Sequence, residues 1–473
     1  MIDFSRVARG AASAFVLQVL GAGLTYGSQI ALARWMGVSS FGVYAYAMAW
    51  AMLAAILLGL GFPQSVLRFI PQYRAREDHA RVRGLVRASQ MATLTVSVAV
   101  ALLGTAIVVV LLPRDSDTTA AAVALWLIPL GALINLDSAI IRAGGRVVGA
   151  FVPSLVVRPL ALVMLGGAAW LAWGRLTAVT VIAITLGVYV AVALMQTVLV
   201  HEVLKADGAP ASAMYERRVW LRVSMPLLLV AGFQLALSQA DLLIIGATRG
   251  VRDAAFYLAA SKTALLVSYL LVAVNAITAP LFSELETRGD RAGLQRLVST
   301  TSQWVFWPTL AIAAGLALLS PYVLGLFGHG FQAARWALLV LLFGQLINAA
   351  CGSVGYLLSM TGHQDDTARV YGITSVVNVA LCYAGARTFG LTGAACSTTF
   401  SMIVWNVWLY RLTRKRIGIR ASFLSYFLRR GERPMVTADE HHTSPSGVGP
   451  CQPRGAIVMQ SSPLSGKAPV SDG

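Results

Sequence analysis

Long apolar runs alternate with short polar breaks along most of the chain. Each run reaches about 20 residues, enough to cross a hydrocarbon core of about 30 Å as a helix. The runs predict about twelve transmembrane helices. Six lie near residues 11–33, 41–62, 91–113, 119–141, 149–173 and 177–200. Six more lie near 223–247, 256–283, 303–327, 335–360, 367–387 and 389–410. In lipid a helix pairs its backbone amides within one segment, so the expected class is an all-α polytopic membrane protein.

The breaks are as informative as the runs. GVSSFGVYAY has Gly37 and Gly42 bracketing two serines and reads as a tight reversal between antiparallel helices. The second run closes on GFPQSVLRFIPQ, where Pro63 and Pro71 are expected to stop a helix. A shift of 213 residues lays Gly37-Val38 on Gly250-Val251 and Tyr44 on Tyr257. A shift of 212 lays Asp78, Ala80 and Val86 on Asp290, Ala292 and Val298. Two six-helix parallel repeats follow, related by an axis along the membrane normal because six is even. The expected organisation is a first half over 1–203, a linker over 204–222 and a second half over 223–410. After it come a basic juxtamembrane segment over 411–430 and a Pro/Gly/Ser-rich, disordered tail over 431–473.

Composition agrees with this pattern. The chain of 473 residues is 57% hydrophobic and 12% charged, about half the charge of a soluble domain. Its net charge of +17 would suggest nucleic acid in a soluble protein. Here the arginines collect in alternate loops and never form one continuous face, so no nucleic-acid partner is expected. Twenty-three Lys and Arg fall on one set of loops and helix ends and seven on the other, which puts both termini in the cytoplasm. Arg6 and Arg9 precede an apolar run that resembles a signal peptide, but the run is too long for one and is read as a retained helix. The four cysteines show no metal spacing, and the His441-His442 pair lacks further ligands. No P-loop or hydrolase, kinase or redox motif is present, so neither a cofactor nor an enzyme activity is expected.

Chemistry is therefore sought among polar residues inside apolar runs, where a charge costs roughly 2.5–3.5 kcal/mol and marks an interior or a wet cavity. They are Asp137, Arg158, Asp241 and Lys262. Arg158 stands beside Pro159 and five residues after Pro153, in what should be an irregular, cavity-lining helix. It suits either an anion contact or an ion pair with Asp137. Asp241 and Lys262 should meet across a short turn, as a structural pair or as an ion-linked switch. Arg68, between the two prolines, could serve topology or give a diphosphate its first contact. Gln18, Gln29, Gln234, Gln239, Asn275, Asn348 and Asn378 add neutral polarity on the helices, for interhelical bonds or a hydrophilic cavity.

The opening from Gly21 to Arg83, with its turn, its two prolines and the arginines at 68, 74, 76, 81 and 83, resembles polysaccharide-export flippases. These belong to the multidrug/oligosaccharidyl-lipid/polysaccharide superfamily, and the likeness runs from about Phe4 to Lys415. The resemblance implies a V-shaped, alternating-access bundle in the bacterial inner membrane. It also implies an undecaprenyl-diphosphate-linked oligosaccharide as substrate, with glycosyltransferases and a polysaccharide polymerase as neighbours. On that reading Arg68, Arg158, Lys262, Gln29, Gln234 and Asn275 bind substrate, and Asp137 and Asp241 couple an ion or form structural pairs. A multidrug/cation antiporter, a peptidoglycan-precursor flippase and a scaffold for glycan assembly are the alternatives. The antiporter would need embedded carboxylates in one lobe, and the first half offers only Asp137.

Overall fold

The computed structural model describes residues 4–111, 113, 115–205 and 212–419. Part of the linker, Arg114, residues 420–430 of the segment expected over 411–430 and the tail expected over 431–473 lie outside the described residues.

Every regular element described is a helix. In chain order they are α1 Phe4–Leu58, α2 Phe62–Arg74, α3 His79–Leu111, α4 Ser116–Leu125 and α5 Leu127–Ala143. Next come α6 Val147–Val152, a π-helical turn Pro153–Val157, α7 Arg158–Trp173, α8 Ala178–Lys205, α9 Arg217–Arg249 and α10 Val251–Thr287. Then follow α11 Arg291–Leu318, α12 Ser320–Gly325, a 3-10 turn Phe331–Ala334, α13 Arg335–Cys351, α14 Val354–Met360 and α15 Gln364–Arg416. Eight spans among the described residues are long and apolar enough to cross a membrane. This is an all-α polytopic membrane fold.

Three sequence expectations are corrected. The reversal after the first run is one residue, Gly37 (φ 75°, ψ 170°), and helix resumes at once, so Gly42 sits inside α1. Pro63 does not stop a helix. The preceding helix ends at Leu58, the chain turns through Leu60 (φ 53°) and Gly61 (φ 71°), and Pro63 stands in the first turn of α2, where a missing amide costs nothing. Pro71 is carried inside α2. The helix holds because one face buries Phe62, Val66, Phe69, Ile70 and Tyr73. The run over 335–360 is broken at Gly352 (φ 67°), which separates α13 from α14.

Hydropathy also marks less helix than forms. The third apolar run starts near 91, yet α3 begins at His79, because Val82, Leu85 and Val86 bury against the bundle and carry the helix onward. Asp78 accepts the Arg81 amide at 3.0 Å, and Asp290 accepts the Gly293 amide at 2.8 Å. These two aspartates, aligned by the 212-residue shift, thus cap their helices in the same way. Gly250 (φ 95°, ψ 168°) likewise repeats the conformation of Gly37.

The helix end near Gly37 and Gly250 is tightly closed. Gly42 lies so close to the Val251 carbonyl that a Cβ there would overlap it. Beside it Phe331 packs against Phe41, Phe256 and Phe327, with ring centroids 6.2, 5.3 and 5.6 Å away. The Arg34 Nε donates to the Leu326 carbonyl at 2.6 Å. At the opposite, basic end α9 is fastened to α2. Trp220 Nε1 donates to the Tyr73 hydroxyl at 3.0 Å, and Ser224 Oγ to Ser65 Oγ at 2.8 Å. Arg81 pairs with both Asp78 (2.5 Å) and Glu216 (2.9 Å). Gly61 and Gly84 let the Ser224 and Met214 backbones approach where a Cβ would clash.

Candidate functional site

Between these two closures lies a cavity of about 260 Å³, walled by α1, α5, α7, α8, α9 and α10. Its polar lining includes Gln29, Tyr44, Asn135, Arg158, Thr185, Tyr189, Gln239 and Lys262. Arg158 is placed there by local sequence. Pro153 and Pro159 bracket a π-helical turn, and Arg158 is the first residue of the helix that follows. Such single turns re-aim a side chain without breaking the span. The Arg158 guanidinium lies 5.7 Å from the Tyr189 ring centroid, and its Nη1 is 3.4 Å from the Tyr189 hydroxyl.

Arg158 and Lys262 enter the cavity from opposite halves of the chain, and the lining contains no carboxylate. Neither forms an ion pair among the described residues, which corrects two expected pairings. The Asp137 oxygens are taken by Gln90 Nε2 at 2.6 Å and Thr197 Oγ1 at 3.2 Å, not by Arg158. Asp241 is buried and accepts from the Tyr257 hydroxyl at 2.6 Å, the Thr398 hydroxyl at 3.4 Å and the Leu242 amide at 2.9 Å. Lys262 stays within Coulombic range of Arg158 and Asp241 without bonding either. What remains is two cations facing one space, held near neutral donors and acceptors.

Three other expected residues lie elsewhere. Arg68 is exposed on the outer face of α2, because the opposite face of that short helix is the buried one. Gln234 is exposed as well, while Gln239, five residues and about 140° further around α9, lines the cavity. Asn275 sits in a separate cavity of the second half, where it accepts a short hydrogen bond from Ser353. Gln29 does reach the main cavity, and its buried Oε1 has no partner among the described residues. Sequence reasoning missed Tyr44, Asn135 and Tyr189. Single aromatics and amides in apolar runs resemble packing residues until the fold turns them inward.

A family profile described as polysaccharide biosynthesis protein matches residues 7–286, more than half of the chain. The chain belongs to that family. No curated protein matches closely enough to be counted a relative. Among solved structures it is similar to an inward-facing multidrug-resistance MATE transporter of the MOP superfamily. That match has 16% identity and a TM-score of 0.65, over 86% of this chain and 94% of that one. It is similar to the lipid II flippase MurJ in an inward closed conformation, at 14% identity and TM-score 0.66, over 84% and 87% of the two chains. A third is a MOP-superfamily transporter from Pyrococcus furiosus, whose binding pocket is described as having reversed polarity. There the identity is 16% and the TM-score 0.63, over 87% and 96%. At these identities the likeness establishes the fold. It is a fold found in membrane transporters and in a lipid II flippase.

Proposed function

We propose that the protein is a flippase for a lipid-linked oligosaccharide, with the diphosphate of an undecaprenyl-type carrier held between Arg158 and Lys262. The observation that carries this reading is a central cavity with two unpaired cations and no carboxylate in its lining. An anion entering there meets both charges with no acid to expel it, and the surrounding low dielectric strengthens each contact. A cation antiporter would require the reverse. The two embedded acids, Asp137 and Asp241, are instead satisfied within their own halves. The family's description and the likeness to a lipid II flippase favour a carrier-linked sugar over a free anion.

On this reading the chain makes twelve crossings in two six-helix halves that alternate access to the cavity. The basic end faces the cytoplasm of a bacterial inner membrane, as the loop charges require. Glycosyltransferases on that side would supply the substrate, and a polymerase on the other would consume it.

The test is substitution at the two cations. Charge-assisted hydrogen bonds contribute about 1.5–3 kcal/mol each, so Arg158→Ala and Lys262→Ala should each weaken headgroup binding about 10- to 150-fold. Surface glycan should fall while membrane abundance holds, since neither cation is bonded to a buried acid. Arg158→Lys should recover part of the loss, keeping the charge without the bidentate fork. Normal export by the double alanine variant would refute the assignment.

A further inference from the structure

The second half contains its own cavity of about 310 Å³, between α10, α13, α14 and α15, and the residues that line it are uncharged. Its polar groups include four side-chain amides and four hydroxyls. Asn406 Nδ2 donates to Asn348 Oδ1 at 3.1 Å and to the Met402 carbonyl at 2.9 Å. Those bonds leave the Asn348 amide nitrogen unused. Gln345, only 9% exposed, lines the same cavity, and its buried Oε1 has no partner among the described residues. A buried amide oxygen lacking a partner costs about 1–3 kcal/mol, and rotation of the Gln345 amide into the adjoining cavity would let a ligand donor remove that cost. Aromatic faces complete the wall, with Trp405 edge-on to Tyr371 at 6.1 Å.

The two cavities share a wall. Along α10, Leu258 and Lys262 line the basic cavity, while Leu265, Ser268, Val272 and Asn275 line the amide cavity. These positions recur every three or four residues, so one helix face serves both spaces in succession. From Lys262 to Asn275 the helix rises about 20 Å. A molecule with its anion at Lys262 and an uncharged polar chain along α10 would span that distance.

We infer that the amide cavity is a binding subsite for an uncharged sugar ring of the glycan. Its amides would bond the hydroxyls, and Trp405 would offer its face to the C–H side of the ring. Uncharged sugars carry hydroxyls that both donate and accept, which side-chain amides match group for group and an ionic lining would not. The break at Gly352 fits this role, because it sets the Ser353 hydroxyl beside Asn275 in the lining where a continuous helix would present only packing. The inference rests on the flippase reading, and the experiment separates the two.

The purified full-length protein in lipid nanodiscs is titrated with geranyl diphosphate. It is then titrated with the same lipid bearing a neutral hexose, an N-acetylhexosamine or a hexuronic acid on its terminal phosphate. At least one neutral sugar should tighten binding about tenfold over the bare diphosphate, and the hexuronic acid should not. Gln345→Leu, which breaks no internal bond of that Oε1, and Trp405→Leu should each cut the gain to less than about twofold. The affinity for the bare diphosphate should not change in either variant. Arg158→Ala should weaken every probe. If the bare lipid binds in an Arg158-dependent way but no neutral sugar adds affinity, the subsite is wrong and the headgroup site stands. Full retention of the gain in both variants overturns it too. Loss of bare-lipid binding in the variants would show that these residues serve packing, which also overturns it. Failure of all probes to bind the unaltered protein would sink the flippase reading, and the subsite with it.

Discussion

At Gly42 the two halves meet backbone to backbone, and enlarging it tests whether that contact is the seal of one transport state. A Cβ at Gly42 would overlap the Val251 carbonyl oxygen, approach its carbon to 2.7 Å and touch the Ala255 methyl at 3.4 Å. The first two are backbone atoms at the helix start after Gly250 and cannot rotate away. Overpacking costs typically 1–3 kcal/mol, and a backbone obstacle belongs at the upper end. About 3 kcal/mol corresponds to roughly 150-fold in the ratio of sealed to unsealed molecules. Gly42→Ala should therefore open this end, the external one in the orientation proposed above. The readout is a single cysteine at Met48, which lines the cavity about 9 Å deeper along α1, in a background without the native cysteines. A membrane-impermeant thiol reagent added outside should label it about 100-fold faster in Gly42→Ala than in the parent. Gly23→Ala on the same helix, where an added Cβ meets nothing, is the control for helix propensity. Equal labelling of Gly42→Ala and its parent, at equal abundance, would show that this contact does not separate when the transporter works.

Other outcomes follow from local chemistry. Tyr257→Phe removes the shortest bond to buried Asp241 and should lower stability by about 1.5–3 kcal/mol, seen as a fall in detergent melting temperature. An unchanged melting temperature would mean that Asp241 is not held as a carboxylate acceptor there. The Arg81 amide, with the Arg81 side chain, holds the Asp78 carboxyl below the usual carboxylate range. Its contribution is thus present above the unfolded carboxylate value and lost as pH falls through the lower folded one. Asp78→Asn should flatten that acid dependence in hydrogen exchange at the start of α3, and an identical acid profile would refute the capping role. Trp220→Phe deletes the donor to Tyr73 and should loosen α9 from α2, raising proteolysis after Glu216 severalfold, while Trp304→Phe, on an exposed site, should not.

Much of the fold is legible in the amino-acid pattern. Runs of about 20 apolar residues require helices in lipid, because no other segment pairs its own amides. The alignment of Gly37 with Gly250 and of Asp78 with Asp290 marks points where backbone conformation or capping demands particular residues, and those points behave alike in the structure. Arg158 between two prolines was legible for the same reason, since proline acts within a turn of itself.

Partnership was not legible. Asp137 and Arg158, and Asp241 and Lys262, lie on consecutive apolar runs with opposite charge, yet each acid found neutral donors on other helices. Sequence spacing specifies depth along a helix, whereas rotation about its axis is settled by packing against neighbours hundreds of residues away. Gln234 and Gln239 differ by about 140° of that rotation, and one faces out while the other lines the cavity. The sequence by itself therefore determined the class, the number of apolar runs and the residues too polar to face lipid. Only the tertiary structure decided which of them share a space, because that depends on contacts such as Gly42 on Val251 that no local pattern encodes.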